Sequence, residues 1–287
     1  VAIDMRLRPP RGGYLACDIY THPGVRDPRV YRPTHQLGMA RPASAIQQSM
    51  ELLLQEMDEA GVTTGVVMGR QSSPPHGWVP NDDVASIVRD YPGRFVGFAG
   101  IDLSDRKAAA REIDRAVGEL EMKGVCLEPA WAVRPMYVDD PYLYPIYEKL
   151  ESMQIVLSIS TGGLCIASDI SYSNPIPLQK VARAFPDLKL IVSHAAWPWV
   201  YQMLGIAFMC PNIYISPDMY LAVPNTPGAL EYVHAANYYL GDRLLFGTAY
   251  PAKPLKPCVD AVKKLPFAEG VVERVLHHNA ARLLGIE

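Results

Sequence analysis

The chain contains no apolar stretch longer than a strand. Runs such as Ile155 to Ile159 fall far short of the roughly 20 residues a membrane span requires, which excludes a helical transmembrane protein. Its five cysteines (Cys17, Cys126, Cys165, Cys210, Cys258) are odd in number, scattered and never spaced as C-x-x-C. That excludes a disulfide framework and a zinc knuckle and leaves buried free thiols as the expectation. Charge of one sign is never concentrated either. The 27 Lys and Arg against 30 Asp and Glu give a net charge of −3, so neither a nucleic acid nor an anionic membrane is an expected partner. No basic, apolar and small-residue sequence of the secretory type opens the chain, which makes cytoplasmic residence the default expectation. Gly-rich phosphate loops are missing, because Ser160-Thr161-Gly162-Gly163 is too short a signal, and neither Ser160 nor Ser193 lies in G-x-S-x-G.

What is present is 287 residues, 49% hydrophobic and 20% charged, enough for one large barrel or two modest domains and incompatible with disorder, coiled coil or collagen. Short β-branched runs alternate with longer segments of helical periodicity along the whole length. The candidate strands are Ala2–Leu7, Thr63–Met68, Phe95–Ile101, Gly124–Leu127, Ile155–Ile159, Leu190–Ser193, Ile213–Ser216 and Leu244–Phe246. About eight such units predict an α/β fold, a single-domain (β/α)8 TIM barrel over residues 1–287. Ser44-Ala45-Ile46-Gln47 reads as a capping box opening a helix with the stripe Ile46, Met50, Leu53, Leu54, Met57 and a stop at Gly61. Asn81-Asp82-Asp83 caps the next helix, and Val272, Val275, Leu276, Leu283 and Leu284 form a last outer stripe. Two regions break the short-loop rule: a loop after strand one, about residues 9–43, and Ser160–Pro177. Both follow strands, the side of a barrel where substrates bind, so they read as lids or subunit-contact arms; a domain linker is the competing reading of the first.

In a parallel barrel, chemistry is done by side chains at the C-terminal strand ends. In order these are Asp4, Arg6 and Arg8; Arg70; Asp102; Glu128; Ser160 and Thr161; Ser193 and His194; Ser216 and Asp218; Thr248 and Tyr250. Arg6 and Arg8, two apart, share a face, the interior one if Ile3 and Leu7 pack outward. Two guanidiniums inside a barrel mouth fit bidentate capture of a carboxylate or phosphate, and equally an internal salt-bridge network with Asp4, Glu128 or Asp102. Arg70 reads as a further anion contact or a solvated loop residue. His194, at a strand end, suits proton transfer near neutrality, and Asp218 and Glu128 are the carboxylates placed to act as base or to orient it. Ser160 and Tyr250 complete the substrate-binding candidates. His22, His35 and His76 lie in loops that could fold over the mouth, whereas His234, His277 and His278 read as structural. Tyr142, Tyr144 and Tyr147 cluster near a helix start, as a contact in a homo-oligomer or as rim packing.

Four segments in register resemble one family: Ala2-Ile3-Asp4-Met5-Arg6-Leu7-Arg8, Ile191-Val192-Ser193-His194-Ala195-Ala196, Leu244-Leu245-Phe246-Gly247-Thr248-Ala249-Tyr250-Pro251 and Asn279-Ala280-Ala281-Arg282-Leu283-Leu284-Gly285. They look like the amidohydrolase-related proteins, in the branch with aminocarboxymuconate-semialdehyde decarboxylase and TIM-barrel lactonases and decarboxylases. The resemblance implies a metal site of I-D-x-H-x-H on strand one, histidines after strands five and six, and an aspartate in F-G-S-D-x-P on strand eight. Here Arg6 and Arg8 replace the paired histidines, Ser160 stands near the strand-five position, Ala249 replaces the aspartate, and only His194 matches. The expectation is therefore a hydrolase needing no metal or other cofactor, acting on a small carboxylate-bearing compound such as a lactone, with guanidinium charge in the cation's place. A metal-dependent hydrolase or decarboxylase, with His194, Glu128 and Asp218 as ligands, is the first alternative. A catalytically inactive barrel that binds a carboxylate ligand or a protein is the second.

Overall fold

A computed structural model of the chain describes residues 1–21, 40–71, 77–161 and 169–286. Seven parallel strands form one curled sheet in chain order: β1 (Ala2–Leu7), β2 (Val62–Met68), β3 (Phe95–Gly100), β4 (Gly124–Leu127), β5 (Val156–Ser160), β6 (Leu190–Ser193) and β7 (Ile213–Ser216). The expected eighth strand exists as a seam rather than a regular strand. Leu244 bridges Ile215 of β7, and Tyr250 bridges Leu7 of β1. Met5 N–H donates to Phe246 O at 2.9 Å, Leu245 N–H to Ile215 O at 2.8 Å and Arg8 N–H to Tyr250 O at 3.1 Å, so the segment closes the barrel. An added antiparallel ribbon, Arg70–Gln71 with Trp78–Val79, sits beyond β2.

The strand alternation sorts the core into two layers. Val66 and Met68, Phe98, Cys126, Val156, Ile191 and Leu245 pack together inside the barrel, while Val67, Val125, Leu157, Val192 and Ile215 join the helices outside. Leu7 packs outward as expected. Ile3 does not: it joins the inner cluster with Met5, because register shifts on β1, one of them between Asp4 and Leu7, rotate the strand and still let Arg6 turn inward. Asp4 accounts for part of this kink, since its carboxylate Oδ1 takes the Arg6 backbone N–H at 2.9 Å.

The helix expected over 44–61 is two helices, Ala43–Gln47 and Met50–Ala60, broken at Gln48 with φ 52°. Ser49, not Ser44, caps the second, accepting Leu52 N–H at 3.2 Å, and Gly61 ends it in the left-handed region. The Ser44 hydroxyl is used elsewhere, on Glu56 at 2.5 Å and Tyr250 at 2.6 Å. Asn81 begins its helix but likewise spends its amide on a long-range contact, bridging both backbone groups of Gly100. Beside it, Gly69 and Gly100 let β2 and β3 touch: a Cβ on Gly69 would lie 2.5 Å from Gly100 N. Tyr144 and Tyr147 pack against Phe185 at 5.5 and 5.7 Å, Tyr147 fully buried, whereas Tyr142 is half-buried under Arg106 and Arg134. Cys17, Cys126, Cys210 and Cys258 are buried thiols; Cys165, like His22, His35 and His76 and much of both long loops, lies outside the described residues. No helix among the described residues is long and apolar enough to cross a membrane.

Candidate active site

The strand ends bring most of the expected side chains to one buried place. Arg6 is at its centre. Its Nη2 lies 3.5 Å from Glu128 Oε1 and 3.4 Å from Ser160 Oγ, its Nη1 is 3.3 Å from Met68 Sδ, and its Nε is 4.0 Å from Asp218 Oδ2. That buried Nε has no acceptor at hydrogen-bond distance among the described residues. Arg70 donates from Nε to Glu128 Oε2 at 3.1 Å and lays its guanidinium 4.2 Å above the Trp131 ring. Arg8 is buried and near enough to press electrostatically on both His194 and Cys126. Ion pairing and convergence on a common site thus coexist. Asp4 binds backbone and Thr248, and Asp102 holds Ser104.

His194 follows β6 and is held by Asp218, which follows β7. Asp218 Oδ2 sits 2.9 Å from His194 Nδ1 and also accepts the His194 backbone N–H at 3.1 Å, while Oδ1 takes the Ser216 hydroxyl at 2.5 Å. Gly247 makes this possible, because a Cβ there would stand 2.5 Å from Asp218 Oδ1. The backbone at both residues is unusual. His194, Ala195 and Ala196 all have positive φ (63°, 48° and 54°), and Asp218 has φ 53°. Side chains rarely adopt this region, and such conformations gather at functional sites. The reward is that His194 turns sharply off its strand toward Asp218.

Burial, and next the Arg6 charge, hold the His194 imidazole below its usual pKa against the pull of Asp218, so the ring is neutral at neutral pH. Burial pushes Asp218 upward, but His194, Arg6 and Ser216 together outweigh it and keep the carboxyl below its ordinary range. Asp4 is different. Burial lifts it to about 7 despite its bonds to Thr248 and the Arg6 backbone. Cys126, pushed up to about 11 by burial, is an unreactive thiol here.

Tyr250 is not brought into this cluster. Its phenol meets Ser44, and it packs in the outer core, because the chain after the seam turns away from the mouth. In its place stands an aromatic wall absent from the strand-end inventory: Trp131, and Tyr220 stacked 4.7 Å from Trp197 and edge-on to His194 at 6.1 Å. Sequence reasoning also passed over Gly247, whose role depends on a residue about thirty positions away, and over the fully buried Lys253; Thr248, among the strand-end candidates, serves Asp4. The place of Trp131 three residues after Glu128, just past a strand end, was the one available signal.

The donor set does not fit the divalent cation that the resemblance implies. Cationic guanidiniums occupy the strand-one positions, and Glu128 is engaged by Arg6 and Arg70. Among the described residues no three His, Cys, Asp or Glu side chains gather in a way that could hold a metal ion, which also removes His194, Glu128 and Asp218 as a ligand set.

A parallel barrel with an ionisable cluster at its strand ends has the architecture of a TIM-barrel enzyme. The amidohydrolase family model, Amidohydro_2, matches residues 3–286, and the chain belongs to that family. It is 30% identical over 243 residues to a 2-amino-3-carboxymuconate-6-semialdehyde decarboxylase of Dictyostelium discoideum, covering 72% of this chain and 66% of that one. It is 32% identical over 241 residues to a gamma-resorcylate decarboxylase of a Polaromonas strain, covering 71% and 74%. An uncharacterized TIM-barrel protein from Bordetella bronchiseptica superposes with a TM-score of 0.92 at 43% identity, covering 99% of this chain and 98% of that structure.

Proposed function

We propose that this amidohydrolase-family enzyme is a hydrolase of a small carboxylate-bearing compound such as a lactone, working without a divalent metal. The observation that carries the reading is Arg6: a fully buried guanidinium whose Nε has Asp218 at ion-pair distance but no acceptor at hydrogen-bond distance, set beside a neutral histidine whose Nδ1 faces the same carboxylate at 2.9 Å. A buried donor of that kind calls for an anionic acceptor. Arg6, with Arg8 and Arg70 near it, binds the substrate carboxylate or the oxyanion that forms when a carbonyl is attacked. Asp218 holds the Nδ1 edge of His194, leaving Nε2 as the base that takes a proton from water and returns it to the leaving oxygen. Glu128 and Ser160 position the arginines, and the Trp131 and Tyr220 rings wall the site with apolar surface.

Decarboxylation is the second reading, favoured by the names of the two sequence relatives. It suits the site less well. Loss of CO2 moves negative charge from carboxylate to carbon, and guanidiniums on the carboxylate stabilise the ground state more than the transition state. A histidine held below its usual pKa is also a better base than proton donor. The test is to incubate the protein with a panel of carboxylated lactones and, separately, γ-resorcylate, following acid release by pH-stat and CO2 by mass spectrometry. Acid release abolished by His194→Asn supports hydrolysis. CO2 release from γ-resorcylate with no lactone turnover assigns the second reading, and activity of His194→Asn equal to wild type refutes both roles of the histidine.

A further inference from the structure

The helix Val200–Met209 reads VYQMLGIAFM and carries no charged residue. The helices Met50–Ala60, Asn81–Asp90, Arg106–Gly118, Tyr144–Ser152 and Leu255–Lys263 each carry at least three. An outer barrel helix turns one face to water, and charges normally occupy that face. On Val200–Met209 the outward positions are Tyr201, Gln202, Gly205, Phe208 and Met209, with Tyr201 71%, Phe208 57% and Met209 55% exposed. The adjoining turn Ala236–Leu240 adds Tyr238, 82% exposed. It is fastened to the helix through Tyr239, which donates to Leu204 O at 2.9 Å and meets the Phe208 ring at 5.0 Å.

We propose that this face is a two-fold interface between two copies of the chain. The area suits it. At 150–250 Å² per aromatic side chain, Tyr201, Phe208 and Tyr238 alone present on the order of 300–500 Å². That is about half of the roughly 800 Å² each partner gives to an interface of standard size, before any rim is counted. The residue order suits it too. Tyr201 and Met209 stand four residues either side of Gly205, and Gln202 and Phe208 three either side, all on one helical face. Crossing two such helices antiparallel at Gly205 sets Tyr201 of one copy on Met209 of the other and Gln202 on Phe208. Every contact then occurs twice, as an isologous interface requires. Open space surrounds the place where a Gly205 Cβ would be, so nothing at the axis keeps the two backbones apart. With no charge on the helix, no like charges meet across the axis. A membrane surface fits poorly, since the face lacks the basic residues that interfacial helices use.

Sedimentation velocity of the chain at 5–100 µM should give a species of twice its 31.7 kDa mass. Tyr201→Glu with Phe208→Glu should weaken the dimer at least 100-fold while circular dichroism stays unchanged. If that pair fails to fold, Gly205→Cys decides: mild oxidation should give a covalent dimer on a non-reducing gel, and Arg111→Cys, on a remote helix, should not. A wild-type chain that remains single at 100 µM overturns the proposal. So does a dimer that withstands the two glutamates, or a Gly205→Cys chain that does not cross-link.

Discussion

Replacing Arg6 with methionine removes a charge while keeping most of the side chain's volume, which isolates the electrostatic role given to it. The guanidinium lies 4.0 Å from the Asp218 carboxylate that holds His194. A unit pair at that distance is worth about 4 kcal/mol at an effective dielectric of 20. That interaction is shared by Asp218 and His194, because the two titrate as a pair. Arg6 is the second-largest cause, after burial, of the lowered His194 pKa. Its removal must therefore raise that pKa. The assay is a two-dimensional NMR titration of labelled imidazoles between pH 4 and 9, with His234 and His278 on the outer helices as internal references. Turnover should fall by about 10²–10³ in the same variant, the usual cost of losing one oxyanion donor. A His194 pKa that stays put or falls in Arg6→Met would refute the charge-centre reasoning.

Asp4→Asn tests the buried carboxyl. The folded state keeps that proton up to about pH 7, whereas an ordinary aspartate releases it near 3.8. The folded chain therefore binds more protons in this window, and wild-type stability falls as pH rises through it. Denaturant melts at pH 4.5 and 7.5 should show Asp4→Asn gaining on wild type at the higher pH by a few kcal/mol; an equal gap at both would refute the assignment. Gly247→Ala places a methyl 2.5 Å from Asp218 Oδ1. It should lower kcat at least 10-fold with a stability loss of about 1–3 kcal/mol, and wild-type kcat would show that Asp218 does not need its present position. Gly69→Ala meets the Asn81 side-chain Oδ1, itself tied to Gly100, and Gly100 N at 2.5 Å, backbone that cannot yield. Thermal unfolding should drop by about 2–5 °C, roughly 1–3 kcal/mol, and an unchanged midpoint would deny the close approach of β2 and β3.

What was legible in the chain was whatever local periodicity determines. The bounds of β1, β4, β6 and β7 coincide with the strands read from sequence; β4, β6 and β7 do so because buried parallel strands are continuous apolar stretches ended by polar residues. Arg6, His194, Asp218, Glu128 and Ser160 were legible for the same reason: once strand ends are known, the barrel brings them together. Choices among distant partners were not. Ser44 has the sequence of a helix cap, yet its hydroxyl serves Glu56 and Tyr250, and that bond also draws Tyr250 from the site. Trp131 gained its role from the Arg70 guanidinium beneath it, some sixty residues earlier.

The seam that closes the barrel is held by a few isolated bonds where the neighbouring strand pairs have continuous ladders. Local opening follows the weakest line of hydrogen bonds, so amides from Leu245 to Tyr250 should exchange with deuterium well before those of β4 to β6. Those same residues include Gly247 and Thr248, which border Asp218 and Asp4. Each breath of the barrel wall thus loosens the carboxylate that holds the histidine, and the lifetime of the competent site is set by how long a few seam bonds stay closed.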